Sequence, residues 1–195
     1  MTPEETQKQA RILQAGTGYD CCLFAKGVPG ADIAALQKRV LDVGKGHNCI
    51  DFAHIPGADI EALQKRVLEI GNDYVCLHFA RDIPGADRKA LEQRVLNVGK
   101  GDACYQFAHD IPGADIAALQ ERVLAEGKSA DCLRFARYIP GADAERLRKR
   151  GLKLRVKEQV QTALEVVAFL VFLLGGVLVF GAVVDTVVHV LKHRL

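Results

Sequence analysis

The sequence predicts an all-α fold, a short α-solenoid of helical hairpins followed by a single transmembrane helix. Three observations predict it. The tetrapeptide Pro-Gly-Ala-Asp begins at Pro29, Pro56, Pro84, Pro112 and Pro140, at intervals of 27, 28, 28 and 28 residues. Between these marks the apolar residues recur at helical spacing. Near the end, Val166 to Val184 form a run of 19 residues without a charged side chain, enough to cross a hydrocarbon layer about 30 Å thick. A self-similar period of this length is the signature of stacked units that cannot bury an apolar face alone.

The elements follow in chain order. Residues 1–18 read as half a repeat, because Arg11-Ile12-Leu13 stands one period before Arg39-Val40-Leu41. Five full units then occupy the chain to residue 150. In each unit a first helix is drawn by positions such as Cys76, Phe79, Ala80 and Ile83, at i, i+3, i+4 and i+7. Pro84-Gly85 ends it, since proline cannot continue helical hydrogen bonding. Asp87 is a good N-cap for the second helix, its carboxylate accepting from first-turn amides. In the first full unit Ile33, Leu36, Val40 and Val43 make the expected buried stripe of the second helix. Gly44, Gly71, Gly99 and Gly127 are expected to close the second helices in a left-handed conformation. One unit is a residue short between Phe52 and Pro56, which should kink or shorten a helix.

Residues 151–163 read as a basic juxtamembrane linker helix, 164–191 as the transmembrane helix and 192–195 as a short tail. Arg146, Arg148, Lys149, Arg150, Lys153, Arg155 and Lys157 make a basic collar upstream of the apolar run. Only Lys192 and Arg194 follow it, so the positive-inside bias places the repeats in the cytoplasm and the C-terminus across the membrane. The collar would also sit favourably on anionic lipid headgroups. Met1 to Asp20 lacks the apolar stretch of a signal peptide. Ala168, Gly175, Ala182 and Asp185 share a helix face with His189 and are the candidate surface for self-association in lipid.

Three columns of side chains could carry chemistry. Cys21, Cys49, Cys76, Cys104 and Cys132 recur three residues before a Phe-Ala pair. Neighbours one packed helix apart, at roughly 8–10 Å, are too distant for disulfides or a shared zinc ion, so these thiols are expected in the core. Cys22 lies outside the column and could be exposed. After each Phe-Ala stand Lys26, His54, Arg81, His109 and Arg137, a ladder that would bind an anion or a partner, or else pair with nearby acids such as Asp82 and Asp110. Residues 1–144 carry 17 Lys/Arg against 20 Asp/Glu, which favours local pairing and makes nucleic acid an unlikely partner. Arg11, Arg39, Arg66, Arg94, Arg122 and Arg150 flank the second-helix stripe, where they can cover neighbours and bond helix-end carbonyls.

The string Phe-Ala-Arg-Asp-Ile-Pro-Gly-Ala-Asp (Phe79 to Asp87) is similar to repeats in uncharacterised bacterial proteins, and residues 1–150 resemble helical-hairpin arrays of the HEAT or tetratricopeptide kind in general form. The resemblance implies a fold and transfers no site residue. No nucleophile, acid-base pair or phosphate loop stands out: the Gly127-Lys128-Ser129 string has Arg122 where a phosphate-binding loop needs glycine. The sequence therefore points away from an enzyme and from any cofactor or metal. Three functions fit: a membrane-tethered scaffold that binds a protein, a membrane effector that senses an anionic ligand or nucleic acid, and a structural coat without a fixed partner.

Overall fold

A computed structural model describes residues 1–173. Among the described residues there are eleven helices and no strand. The chain opens with α1 (Pro3–Ala15), the half repeat. Five hairpins follow: α2 (Gly18–Gly27) with α3 (Ile33–Val43), α4 (Gly46–Ala53) with α5 (Ile60–Ile70), and α6 (Asp73–Asp82) with α7 (Arg88–Val98). The last two are α8 (Gly101–Asp110) with α9 (Ile116–Glu126), and α10 (Ser129–Tyr138) with α11 (Ala144–Leu173). Each hairpin packs on the next through first helix against first helix, and each second helix also packs on the first helix of the following unit. This is the repeat-like pairing that an α-solenoid requires.

The Pro-Gly-Ala-Asp motif builds the link within each hairpin. The carbonyl of Val28 accepts from the Ala31 amide at 3.2 Å, and the same bond recurs from Ala58 to Ile55 and in the other three units. Proline and a glycine at φ near +80° fill the two central positions, with Gly30 at 79° and Gly85 at 81°. That combination is a type II turn, whose third residue needs the left-handed backbone glycine adopts without penalty. The following aspartate then caps the second helix: Asp32, Asp59, Asp87 and Asp115 each accept from the amide three residues on, at 2.9–3.1 Å.

A buried polar column then ties unit to unit. The amide of Asp59 donates to Gln37 Oε1 at 2.8 Å while Gln37 Nε2 donates to the Asp59 carbonyl at 3.0 Å. Gln64 treats Asp87 in the same way, and Gln9, Glu92 and Gln120 each accept from the capping aspartate of the following unit. Buried amides survive only when so paired.

The core is a stack of repeated columns. Phe52, Phe79, Phe107 and Phe135 are fully buried, as are Leu36, Leu63, Leu91 and Leu119 from the second helices. Val40 joins them, but Ile33 is half-buried and Val43 is 44% exposed. The buried stripe is Leu36, Gln37 and Val40, with Ile33 packed at its edge. All six cysteines are buried and free, including Cys22, whose thiol packs against α4 with Sγ 3.5 Å from the Asn48 carbonyl.

The glycines after the second helices behave differently from expectation. Only Gly71 has positive φ, at 70°. Gly44 is extended, at φ −72°, and serves close approach instead. A Cβ on Gly18 would stand 2.9 Å from the Gly44 Cα, and one on Gly101 would stand 2.5 Å from the Gly127 Cα. The short unit shortens α4 to 8 residues where α6 has 10. Its last turn tightens, with the Ile55 amide reaching Phe52 at 2.9 Å, so Ile55 stays buried and the turn keeps its register.

The final helix is unbroken from Ala144 to Leu173. It begins as the second helix of the fifth unit and continues through the collar without a boundary at 150/151 or at 163/164. Leu147 is buried against α10, a Cβ on Gly151 would press on Leu133, and Glu158 caps the α10 N-terminus through the Ser129 amide and hydroxyl. Those two bonds hold the Glu158 carboxyl below its ordinary range, the hydroxyl contributing most. Farther on, Val166, Phe169, Leu170 and Phe172 are exposed. Among the described residues no helix is long and apolar enough to cross a membrane. Most of the 164–191 span, the 192–195 tail, and Gly175, Ala182, Asp185 and His189 of the association face lie outside the described residues.

Two predictions follow from the packing. Gln64→Ala leaves the Asp87 amide without its partner and the Asp87 carbonyl with only the Leu91 amide, and should cost about 2 kcal/mol in urea unfolding. Gln93→Ala, exposed on α7, should stay within about 0.5 kcal/mol. Burial pushes the thiols up, to about 11 for Cys49 and Cys76 and about 12 for Cys22 and Cys104. The folded state therefore keeps protons that the unfolded chain releases above the ordinary thiol value of about 8.5. Stability should be full below that pH and fall as pH rises toward 11–12, and all six thiols should resist a thiol reagent until the chain is unfolded.

Candidate functional site: the outer face of the first helices

Along each first helix, the second residue, the one four later and the one seven later share an outward face. In α2 these are Tyr19, Leu23 and Lys26; in α6 they are Tyr74, His78 and Arg81; in α10 they are Ala130, Arg134 and Arg137. The ladder residues Lys26, His54, Arg81, His109 and Arg137 are all exposed on this face. Beside them Tyr19, Leu23, Tyr74 and Tyr138 are each more than half exposed. The face is thus a strip of mixed aromatic and charged groups that changes from unit to unit.

Its electrostatics are settled locally where the acids are near. The Arg81 guanidinium holds Asp82 at 2.7 Å and reaches across to Asp110 of the next unit at 3.4 Å. The Asp82 bond keeps the guanidinium fully charged, and the same bond holds the Asp82 carboxyl below the ordinary range. Arg81 Nη2 also lies 2.7 Å from His78 Nδ1. The same His78 nitrogen stands 3.3 Å from Asp82 Oδ2, so the three side chains form one polar cluster. His109 Nδ1 meets Asp110 at 2.7 Å. Lys26 and His54 have no carboxylate within ion-pair distance among the described residues, and Arg137 lies with its guanidinium carbon 5.2 Å from the centre of the Tyr138 ring. The ladder is therefore partly neutralised and is not a continuous cationic rail.

A second cluster was not legible as a site from spacing alone. Arg134 bridges Asp131 of its own helix at 3.0 Å and Asp102 of the preceding unit, and lies 5.0 Å above the Tyr105 ring. The signal for it was present as an acid at Asp102 and a base at Arg134, 32 residues apart, but only helix stacking puts them in contact.

The arginine column does cap carbonyls. Arg39 Nε donates to Gly16, Arg122 Nε to Gly99 and Arg150 Nε to Leu124, at 3.1–3.2 Å. Arg66 and Arg94 have a buried Nε with no partner among the described residues; Arg66 instead meets Glu69 at 3.4 Å. The collar divides by face. Arg146, Lys149, Arg150 and Lys153 line one groove with Leu124, whereas Arg148 and Arg155 project from the far flank of α11 and Lys157 is exposed one turn beyond Lys153. Ala168, the one member of the association face within the described residues, is exposed. Among the described residues no three His, Cys, Asp or Glu side chains gather at metal-binding distance.

No family model, no curated protein and no solved structure matches this chain.

Because Arg81 is exposed and its acids are only half-buried, Arg81→Gln should lower stability by no more than about 1 kcal/mol. The same difference measured in about 0.5 M salt should shrink further, as screening weakens the surface pairs.

Proposed function

We propose that the protein is a membrane-tethered helical-repeat scaffold that binds a protein partner on the outer face of its first helices. The observation that carries this reading is the exposed strip on which Tyr19, Leu23, Tyr74 and Tyr138 stand among arginines and histidines. Aromatic residues and arginine are the groups enriched where proteins dock, and they bury large area with few rotatable bonds. A face whose side chains differ in each unit suits a partner of irregular sequence. The pairing of Arg81 and Arg134 with acids leaves little field for a polyanion, which sets nucleic acid aside.

The tether rests on the apolar run from Val166 to Val184 and on the exposure of Val166, Phe169, Leu170 and Phe172 at its start. A solvated helix bearing such residues needs a cover, and a bilayer supplies one. In this reading the repeats lie on the cytoplasmic side, with Lys157 the collar member nearest to the headgroups, and the helices associate through the face that includes Ala168, Gly175, Ala182 and Asp185. The continuity of α11 also supports a second reading, a ligand-sensing membrane effector. An unbroken helix would carry a change in the fifth unit directly to the membrane end. A structural coat without a fixed partner is the third.

One experiment separates these. The full chain is expressed in cells, its membrane fraction is washed with alkaline carbonate, and proteins crosslinked to it are compared with those on Leu23→Glu/Tyr74→Glu. The scaffold predicts a carbonate-resistant chain and one saturable protein partner that the double variant loses. Release by carbonate sinks the tether. A partner set identical for both chains sinks the docking face.

A further inference from the structure

The fifth unit departs from the other four on one face of its second helix. The position of Arg146 is alanine in every other full unit: Ala35, Ala62, Ala90 and Ala118. The position of Lys153 is Asp42, Glu69, Asn97 and Ala125 in the same four units. In two of those units an acid on the second helix meets the column arginine: Glu69 meets Arg66 at 3.4 Å and Glu126 meets Arg122 at 4.0 Å. Residues 146–157 contain no acid at all, and the next one, Glu158, is turned away to Ser129 on α10. Arg150, Lys149 and Lys153 therefore stand without a carboxylate of their own helix, and Arg146 alone meets one, Glu121 of α9.

The result is a groove of about 370 Å³ between α9 and α11, lined by Arg146, Lys149, Arg150 and Lys153 over a floor at Leu124. The four cations fall at i, i+3, i+4 and i+7, so they converge on one side. Arg150 is fixed by its Nε bond to the Leu124 carbonyl at 3.2 Å, which leaves its two Nη groups to face a ligand. Arg146 is held at the rim by Glu121, the one carboxylate in contact with the set. Neither Lys149 nor Lys153 has an acid within ion-pair distance among the described residues. A compact multivalent anion is what such a site takes, because guanidinium and ammonium groups bond phosphate oxygens strongly.

The groove also stands too far along the helix to serve a bilayer. From Lys153 to Val166 is 13 residues of helix, about 20 Å at 1.5 Å per residue. The headgroup layer is only about 5–8 Å thick on each side, and an ordinary tilt of about 20° shortens the gap by little. We infer that the α9–α11 groove binds a small soluble ligand through a phosphate group, a phosphomonoester or a diphosphate. The inference stands on the groove and does not need the tether.

The test is a calorimetric titration of the full chain, in neutral detergent micelles at low salt, with inorganic pyrophosphate as probe. One site is expected, weakening as salt rises. Lys149→Gln/Lys153→Gln should reduce affinity about ten-fold or more, as expected for losing two cations in contact with the anion. Arg148→Gln/Arg155→Gln removes the same charge from the opposite flank and should change it by less than about two-fold. Absence of saturable binding in the unaltered chain, or equal loss in both variants, overturns the site. A flotation arm tests the source, using phosphatidylcholine vesicles with and without phosphatidic acid. A phosphatidic-acid gain that vanishes in Lys149→Gln/Lys153→Gln overturns the soluble ligand, and a gain that survives supports it. Failure to float with either vesicle sinks the tether and leaves the titration to decide the groove.

Discussion

The structure depends on one polar contact repeated along the array: the backbone amide of each capping aspartate donates to a glutamine of the unit before it, or at Asp115 to Glu92. Asp59 shows the whole arrangement. Its side chain caps α5 through the Ala62 amide, and its own amide and carbonyl bind Gln37 of α3. The Asp59 amide and carbonyl, part-buried between the units, are thereby both paired, where an unpaired amide would be destabilising. The contact also fixes geometry, because a glutamine amide bonding N–H and C=O of one residue accepts only one offset between units. Glu92 has no N–H to give, and it keeps only the bond from the Asp115 amide.

The apolar columns then fill the space this register defines. Phenylalanine, leucine and cysteine recur at fixed places, and small residues let the start of a first helix approach the link that follows the next second helix, as Gly101 does against Gly127. The missing residue between Phe52 and Pro56 tests how tightly the register is held. It is absorbed in the last turn of α4, where a shorter backbone bond brings Ile55 back into the core. The cost is confined to two helical residues, because the neighbours on both sides are anchored by their own capping aspartates.

Charge is arranged by the same stacking. On the first-helix face, Arg81 and Arg134 each reach an acid of an adjacent unit, so the net-acidic array neutralises part of its own charge. At the end of the array no following unit supplies acids, and α11 supplies none from 146 to 157. The terminal unit is therefore where a positive field survives at contact range. A terminal repeat commonly departs from its consensus because it meets solvent on one side; here the departure is toward cations that share one groove.

The sequence by itself determined the period, the two-helix unit, the aspartate caps, the burial of the cysteine column and the shortened helix in the deleted unit. These rest on spacings of three to seven residues or on the repeat itself, and both are written along the chain. The glutamine column was also written there, at Gln9, Gln37, Gln64, Glu92 and Gln120, but a polar residue in a helical stripe has no visible partner until the helices are stacked. Cys22 looked exposed for the same reason, since it is α4 that covers it. Only the tertiary structure decided which glycines take positive φ, placing it in the Pro-Gly turns and sparing Gly44, Gly99 and Gly127. It alone decided which ladder cations are neutralised and which collar residues converge on a groove. Those outcomes depend on distances between side chains some 25 to 32 residues apart, and such distances are set by how the helices pack rather than by any local rule.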